Sequence, residues 1–269
     1  MSKNSHSISA YVQGIGLLGP GFADWESAKP VLAGLAPYTS ATTAIPPPLI
    51  LPPAERRRAS DIIKLTLATS MEALAAANLD VSEIPSVFSF SNGDGYNCHV
   101  ICETLASSDR LISPTRFHNS VHNAAAGYWS IAMNAMATSS VLCAYDASFG
   151  AGLLEAMTQV AVDLTPCILM ASDTPYPEPV HNVRPIADNF GIALVLTPAQ
   201  TSQSLARLEL GFTNDEADRM EAPALEQLRN AFPTARGLPL LSALAQGQDA
   251  RVILSYIDEL QLAVTVNPC

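Results

Sequence analysis

Ser139-Ser-Val-Leu-Cys-Ala-Tyr-Asp-Ala-Ser-Phe-Gly-Ala-Gly-Leu-Leu-Glu-Ala-Met157 decides how the rest of the chain is read. Ser139 to Tyr145 reads as a short strand, and Ala147 to Val162 as a helix that starts at once. A side chain on so abrupt a turn faces the open backbone N–H groups of the helix, and the helix dipole stabilises negative charge there. Nucleophiles are placed on such turns for that reason.

Working outward, Cys167 to Ser172 reads as a buried strand, followed by a Pro-rich loop over 174–187. Upstream, His118 to Ala137 is Ala-rich, apolar nearly all round, and expected as one buried helix. Ser86 to Ser91 is a strand running into the turn Asn92-Gly-Asp-Gly95, with a helix to about Ala106. Glu55 to Asn78 holds Ile62, Leu65, Leu67, Met71 and Leu74 at helical spacing without Gly or Pro, which predicts one long helix. Ile8 to Gly16 is the first strand, and residues 18–53, with Pro46-Pro47-Pro48 and Pro52-Pro53, form a loop or extended excursion. Ile192 to Leu196 and Leu205 to Phe212 are expected as a hairpin. After 213, residues 221–231 and 238–246 suggest short helices, and Val252 to Ile257 and Leu260 to Val266 suggest strands. This tail either finishes the sheet or covers an interface. The alternation predicts a single α/β domain over 1–269, with a mixed sheet of about five strands and helices on both faces.

Composition narrows the function. Apolar residues make up 48% of the 269 and charged ones only 14%, a low charge density that agrees with a permanent partner or simply with a large core. A net charge of −11 argues against nucleic-acid binding, since the basic run Arg56-Arg57-Arg58 is too short to neutralise a phosphate backbone. There is no apolar run of roughly 18 residues, so no membrane span is expected. Met1 to Ser7 lacks the apolar core of a signal peptide, which points to the cytoplasm. Five irregularly spaced cysteines agree with a reducing compartment. Cys98-His99-Val100-Ile101-Cys102 is half a metal site without its other half, and neither metal nor cofactor is expected.

Taken as an ordered series, these segments resemble the thiolase-like condensing enzymes, the β-ketoacyl synthases, over roughly residues 8–198. Ile15-Gly-Leu-Leu-Gly-Pro-Gly21 resembles their first strand and turn, and Arg57 to Asn78 their first long helix. Ser113-Pro-Thr-Arg-Phe-His-Asn-Ser-Val-His-Asn123 is similar to the segment entering their dimer-interface helix, and 139–157 to their nucleophile turn. The resemblance implies a thiolase-like half fold. It also implies that Arg116, Phe117, His118, Asn119, Val121, His122 and Asn123 meet a partner subunit.

Two departures matter more than the match. The family carries Cys on the turn; aligning through Ser148 and Glu155-Ala156 places Asp146 there, with Cys143 three residues earlier and expected to point into packed protein. A carboxylate cannot hold a stable thioester. The family's two catalytic histidines belong to a second half, in motifs like His-Gly-Thr, and no histidine follows residue 198 here. The chain therefore resembles the shortened chain-length-factor type known from bacterial aryl polyene pathways. That resemblance implies no catalytic residue of its own, a heterodimer with a full-length ketosynthase, a transient acyl carrier protein, and closure of the partner's acyl tunnel.

Large apolar side chains limit a growing chain by sterics alone, and Phe117, Tyr128, Trp129, Met133 and Met136 are the candidates; the other reading makes them ordinary core residues. Asp146 reads as a cap of the following helix through Ser148 or Phe149, or as a residual decarboxylase group. His118 and His122 lie one helical turn apart, as interface residues or as a metal or proton pair. Lys64 and Arg56 to Arg58 read as a solvated face or a carrier contact. The competing class is a serine hydrolase, with Ser148 in Asp146-Ala-Ser-Phe-Gly150 followed by Asp173 and His181, although Asp146 stands where that turn needs Gly.

Overall fold

The computed structural model describes residues 7–269. Met1–His6, most of the stretch read above for a signal peptide, lie outside the described residues. The chain runs β1 (Ile8–Leu18), α1 (Trp25–Leu32), α2 (Pro53–Arg58), α3 (Asp61–Ala77), β2 (Ser86–Phe90), α4 (Gly95–Ala106), α5 (Pro114–His118), α6 (Ala124–Met133) and β3 (Ser139–Leu142). It continues through a 3-10 turn (Tyr145–Ala147), α7 (Ser148–Asp163), β4 (Cys167–Asp173), α8 (Val180–Val183), β5 (Phe190–Thr197) and β6 (Ala206–Thr213). It ends with α9 (Pro223–Ala231), a second 3-10 turn (Thr234–Gly237), α10 (Leu238–Gln246), β7 (Ala250–Ile257) and β8 (Leu260–Pro268).

All eight strands join one sheet in the order β3-β2-β4-β5-β1-β6-β8-β7. The β2 pairings with β3 and β4 are parallel, and every other neighbour is antiparallel. The central strands are buried on both faces, which is why they read as unbroken apolar runs. Alternation along them feeds two cores. Cys167, Leu169 and Ala171 of β4 join α1, α7, α9 and α10 on one face, whereas Ile168 and Met170 join α3 and α6 on the other. The architecture is thus the expected mixed α/β, thiolase-like layer fold. No helix among the described residues is long and apolar enough to cross a membrane.

The central packing leaves α3 almost no clearance over β1. A Cβ on Gly16 would stand 1.9 Å from the Thr69 carbonyl oxygen, and one on Gly14 2.0 Å from that of Ala73. Backbone meets backbone here, so only glycine allows the approach. Glu72, in the middle of α3, accepts the N–H groups of Leu17 (2.9 Å) and Trp25 (2.6 Å), tying α3 and the start of α1 to the end of β1.

Several expectations need correction. The sheet has eight strands, because β8 pairs with β6 and carries β7 beyond it, so both tail strands finish the sheet. The expected hairpin of β5 and β6 does not form, since β1 lies between them and pairs with both. The long helix from Glu55 splits, because Ala59 is extended (ψ 121°) and Ser60 starts a new helix. The Pro-rich excursion contains α1, started by Asp24, whose Oδ1 accepts the Ser27 N–H at 2.7 Å. The helix expected from His118 begins only at Ala124 and ends at Met133, with Asn134 in the left-handed region (φ 50°).

Candidate functional site

The turn after β3 is built by backbone strain and held by charge. Tyr145 adopts a left-handed φ of 53°, uncommon for an aromatic residue, and the 3-10 turn carries the chain into α7. Because that turn intervenes, Ala147 rather than Asp146 occupies the N-cap of α7, and no side chain caps the helix. The capping role expected of Asp146 is therefore incorrect. Its Oδ1 accepts from Arg184 Nη2 at 2.5 Å and its Oδ2 from Arg236 Nη2 at 3.4 Å. The Arg184 guanidinium also lies 3.5 Å from the centre of the Tyr145 ring. Burial opposes the charge on Arg184, but the hydrogen bonds and charges of Asp146 and Tyr145 together outweigh it and push the guanidinium pKa up.

One carboxylate thus ties three segments: the turn, the loop after β4, and the 3-10 turn before α10. Arg184 and Arg236 lie 38 and 90 residues beyond Asp146, so no local sequence signal links them to it. Asp146→Ala is expected to cost about 1–2 kcal/mol, or a few degrees in Tm, because it leaves a half-buried guanidinium pair unmatched. A thermal melt checks this, and an unchanged Tm would show the clamp to be idle.

The hydrolase triad does not assemble. Ser148 is fully buried, its hydroxyl lying 2.7 Å from the Tyr145 carbonyl and 3.1 Å from that of Phe90, while accepting from the Ala144 N–H at 3.1 Å. Asp173 accepts instead from the N–H groups of Ser91 (3.2 Å) and Thr234 (2.7 Å), and burial pushes its carboxyl pKa up. His181 bonds to neither side chain and lies on the short α8.

Cys143 is exposed at the end of β3, against the expectation that it points into packed protein. Its sulfur lies 3.4 Å from His122 Nδ1, and burial, then the charge of Asp173, push the thiol pKa up. It stays a thiol at neutral pH. The pairing of His118 with His122 through one helical turn is also corrected: His118 ends α5 and His122 lies in the loop before α6. Among the described residues no group of three His, Cys, Asp or Glu is placed to hold a metal. Arg56 does not belong to a solvated face, since its Nη2 donates to the carbonyls of Leu49 (2.8 Å) and Leu51 (3.0 Å) and holds the proline loop, while Lys64 pairs with Asp61 at 2.9 Å.

The interface candidates divide. Phe117, His118, Val121, His122 and Asn123 are exposed and Arg116 half-buried, whereas Asn119 is buried and donates to the Arg58 carbonyl at 2.9 Å. The tunnel candidates divide too. Phe117 and Met136 are exposed and Met133 half-buried, but Tyr128 and Trp129 are enclosed in the core under α3, with Trp129 edge-on to Phe88.

Sequence reading missed how much apolar surface surrounds these residues. Of twenty exposed large hydrophobic side chains among the described residues, eight fall within residues 96–145: Tyr96, Leu105, Leu111, Phe117, Val121, Ile131, Met136 and Tyr145. Exposed apolar area beyond a scattered background is the kind of surface that association covers. α4 is its clearest part: of its twelve residues only Gly95 and Asn97, both in the first turn, are buried. Strand β3 is a half-exposed sheet edge with unpaired backbone groups.

The comparisons agree with this architecture. The family described as "Beta-ketoacyl synthase, N-terminal domain" matches residues 27–255. Among curated proteins nothing matches. A structure of the ketosynthase ApeO in complex with its chain length factor ApeC from Xenorhabdus doucetiae is similar at 22% identity, covering 96% of this chain and 99% of that chain with a TM-score of 0.72. The ishigamide ketosynthase/chain length factor is similar at 12% identity, with 97% and 99% covered and a TM-score of 0.71. In contrast, this chain spans 50% of a ketosynthase from module 1 of the bacillaene synthase of Bacillus amyloliquefaciens, at 15% identity, 83% of this chain and a TM-score of 0.57. At these identities the likenesses establish the fold.

Proposed function

Because the chain belongs to the β-ketoacyl synthase N-terminal domain family, we propose that it works as a chain-length-factor type subunit, pairing with an active ketosynthase and joining no carbon chains itself. The observation that carries this reading is Asp146. It stands where the family's thiol is expected, and Arg184 and Arg236 hold its carboxylate as an ion pair rather than a nucleophile. Acyl transfer needs a thiolate or an activated hydroxyl. Asp146 is neither, Cys143 is held as a thiol, and Ser148 is buried and bonded to the backbone.

The same reading explains the exposed apolar surface over 96–145. α4 and the edge of β3 are covered by the full-length partner, and the β3 edge extends the partner's sheet. Phe117, Met133 and Met136 reach the acyl tunnel from this side, where their bulk limits product length. Tyr128 and Trp129 back that wall from the core. An acidic acyl carrier protein visits the complex transiently, in the cytoplasm, in polyene or fatty-acid-like biosynthesis of the aryl polyene type.

Co-expression with the full-length ketosynthase tests this. The two chains are expected to co-purify at equal stoichiometry, and Met136→Ala to shift the complex towards longer products. A stable lone chain with no effect on ketosynthase activity or product length would overturn the proposal.

A further inference from the structure

A groove of about 710 Å³ lies between the end of α2, the starts of α3 and α4, α5, and the loop after β4. Acidic residues outnumber basic ones by 25 to 14 in this chain, yet Arg57, Arg58 and Arg116 all line this one groove. Arg58 is matched by Glu55 at 3.1 Å. Arg57 and Arg116 form no salt bridge among the described residues, and the Arg116 guanidinium is steadied 5.8 Å from the Tyr96 ring centre.

Helix geometry adds donors. α3 has seventeen residues, and its N-cap, Ser60, makes no capping bond; the Ser60 hydroxyl is buried without a partner among the described residues and lines the groove. The first N–H groups of α3 have no acceptor within the helix, and its dipole favours an anion there. Asp61, at the rim, is neutralised by Lys64 at 2.9 Å. The walls are fixed by Asn119, donating to the Arg58 carbonyl, and by Asn97, donating to the Arg116 carbonyl, each at 2.9 Å.

One group has the opposite demand. Asp94 caps α4 with Oδ1, which accepts the Asn97 N–H at 2.9 Å, while its Oδ2 is buried with no donor among the described residues. A bare anion would be repelled by Asp94. An anion with a hydroxyl beside it satisfies the guanidinium groups and the carboxylate together. We propose that this groove binds a small phosphoester bearing a hydroxyl next to its phosphate: the phosphate sits on Arg57, Arg116 and the α3 N-terminus, and the hydroxyl donates to Asp94. Every lining residue belongs to this chain, but Tyr96 and Arg116 also fall in the stretch proposed above to meet the partner, so the groove is tested on the free chain, where it is open.

Isothermal titration of the full chain with glycerol 3-phosphate, inorganic phosphate and glycerol tests it. Glycerol 3-phosphate is expected to bind about tenfold more tightly than inorganic phosphate, and glycerol not at all. Arg57→Ala with Arg116→Ala should weaken glycerol 3-phosphate by about a hundredfold while Tm stays constant. Asp94→Asn keeps the cap and should close the gap between the two phosphates by strengthening inorganic phosphate. The inference fails if glycerol 3-phosphate gives no heat at millimolar concentration. It fails equally if the double variant binds as the parent does, or if inorganic phosphate matches glycerol 3-phosphate in the parent.

Discussion

With Phe117→Asp and Ile131→Asp introduced together, the chain is expected to lose the proposed ketosynthase partner, its affinity falling by about a thousandfold or more. Phe117 on α5 and Ile131 on α6 are 68% and 51% exposed, so neither stabilises the isolated fold and Tm should not move. In a covered interface each aspartate would be an unpaired buried charge, and central apolar anchors are worth about 2 kcal/mol or more apiece when removed. Two such losses reach the stated factor. Leu35→Asp is the control: that side chain is 83% exposed but lies after α1, outside residues 96–145. Pull-down with the tagged ketosynthase reads all three proteins. Equal recovery of the double variant and the control would remove the interface from this face.

Gly16→Val should have the largest effect on the fold itself. The first added carbon would stand 1.9 Å from the Thr69 carbonyl oxygen and 2.8 Å from its carbon, both backbone atoms of the central helix. Neither β1 nor α3 has room to retreat, since β1 is buried from Val12 to Leu18 and paired with β5 there, and α3 is buried over most of its length. Overpacking of this severity costs about 4 kcal/mol or more, roughly 10 °C in Tm for a chain of this size, and soluble yield should collapse with it. Gly127→Ala in α6 meets nothing within 4 Å and should melt no lower than the parent. A parent-like Tm for Gly16→Val would mean that α3 does not sit on β1 as described.

Much of this fold was legible because buried strands and the strand-turn-helix at 139–157 leave local signatures. β4 and β5 are buried at every position because helices cover both faces, and their apolar runs each read as a strand. Pairing was less legible. β5 and β6 follow one another and suggested a hairpin, yet both edges of β1 were open to them, and the nearer segment in sequence lost to the more distant one. Helix boundaries failed where the backbone, not composition, decides: extended Ala59 divides an apparently continuous helix. At the site, Asp146 was found from the register of the turn, but its partners Arg184 and Arg236 come from remote loops and were invisible without three dimensions. The same holds for the groove, whose arginines lie on α2 and α5, some sixty residues apart in sequence, Arg57 and Arg116.

α4 is anchored through its first turn only, with the remaining ten residues at least partly open to solvent. A helix held so loosely opens at little free-energy cost, and open segments are where proteases cut. Under the proposed pairing, an orphan copy would be cleared from the cell faster than one docked on a ketosynthase. Surplus synthesis of this subunit would then be trimmed to the number of partners present, so equal numbers emerge from degradation rather than from matched translation.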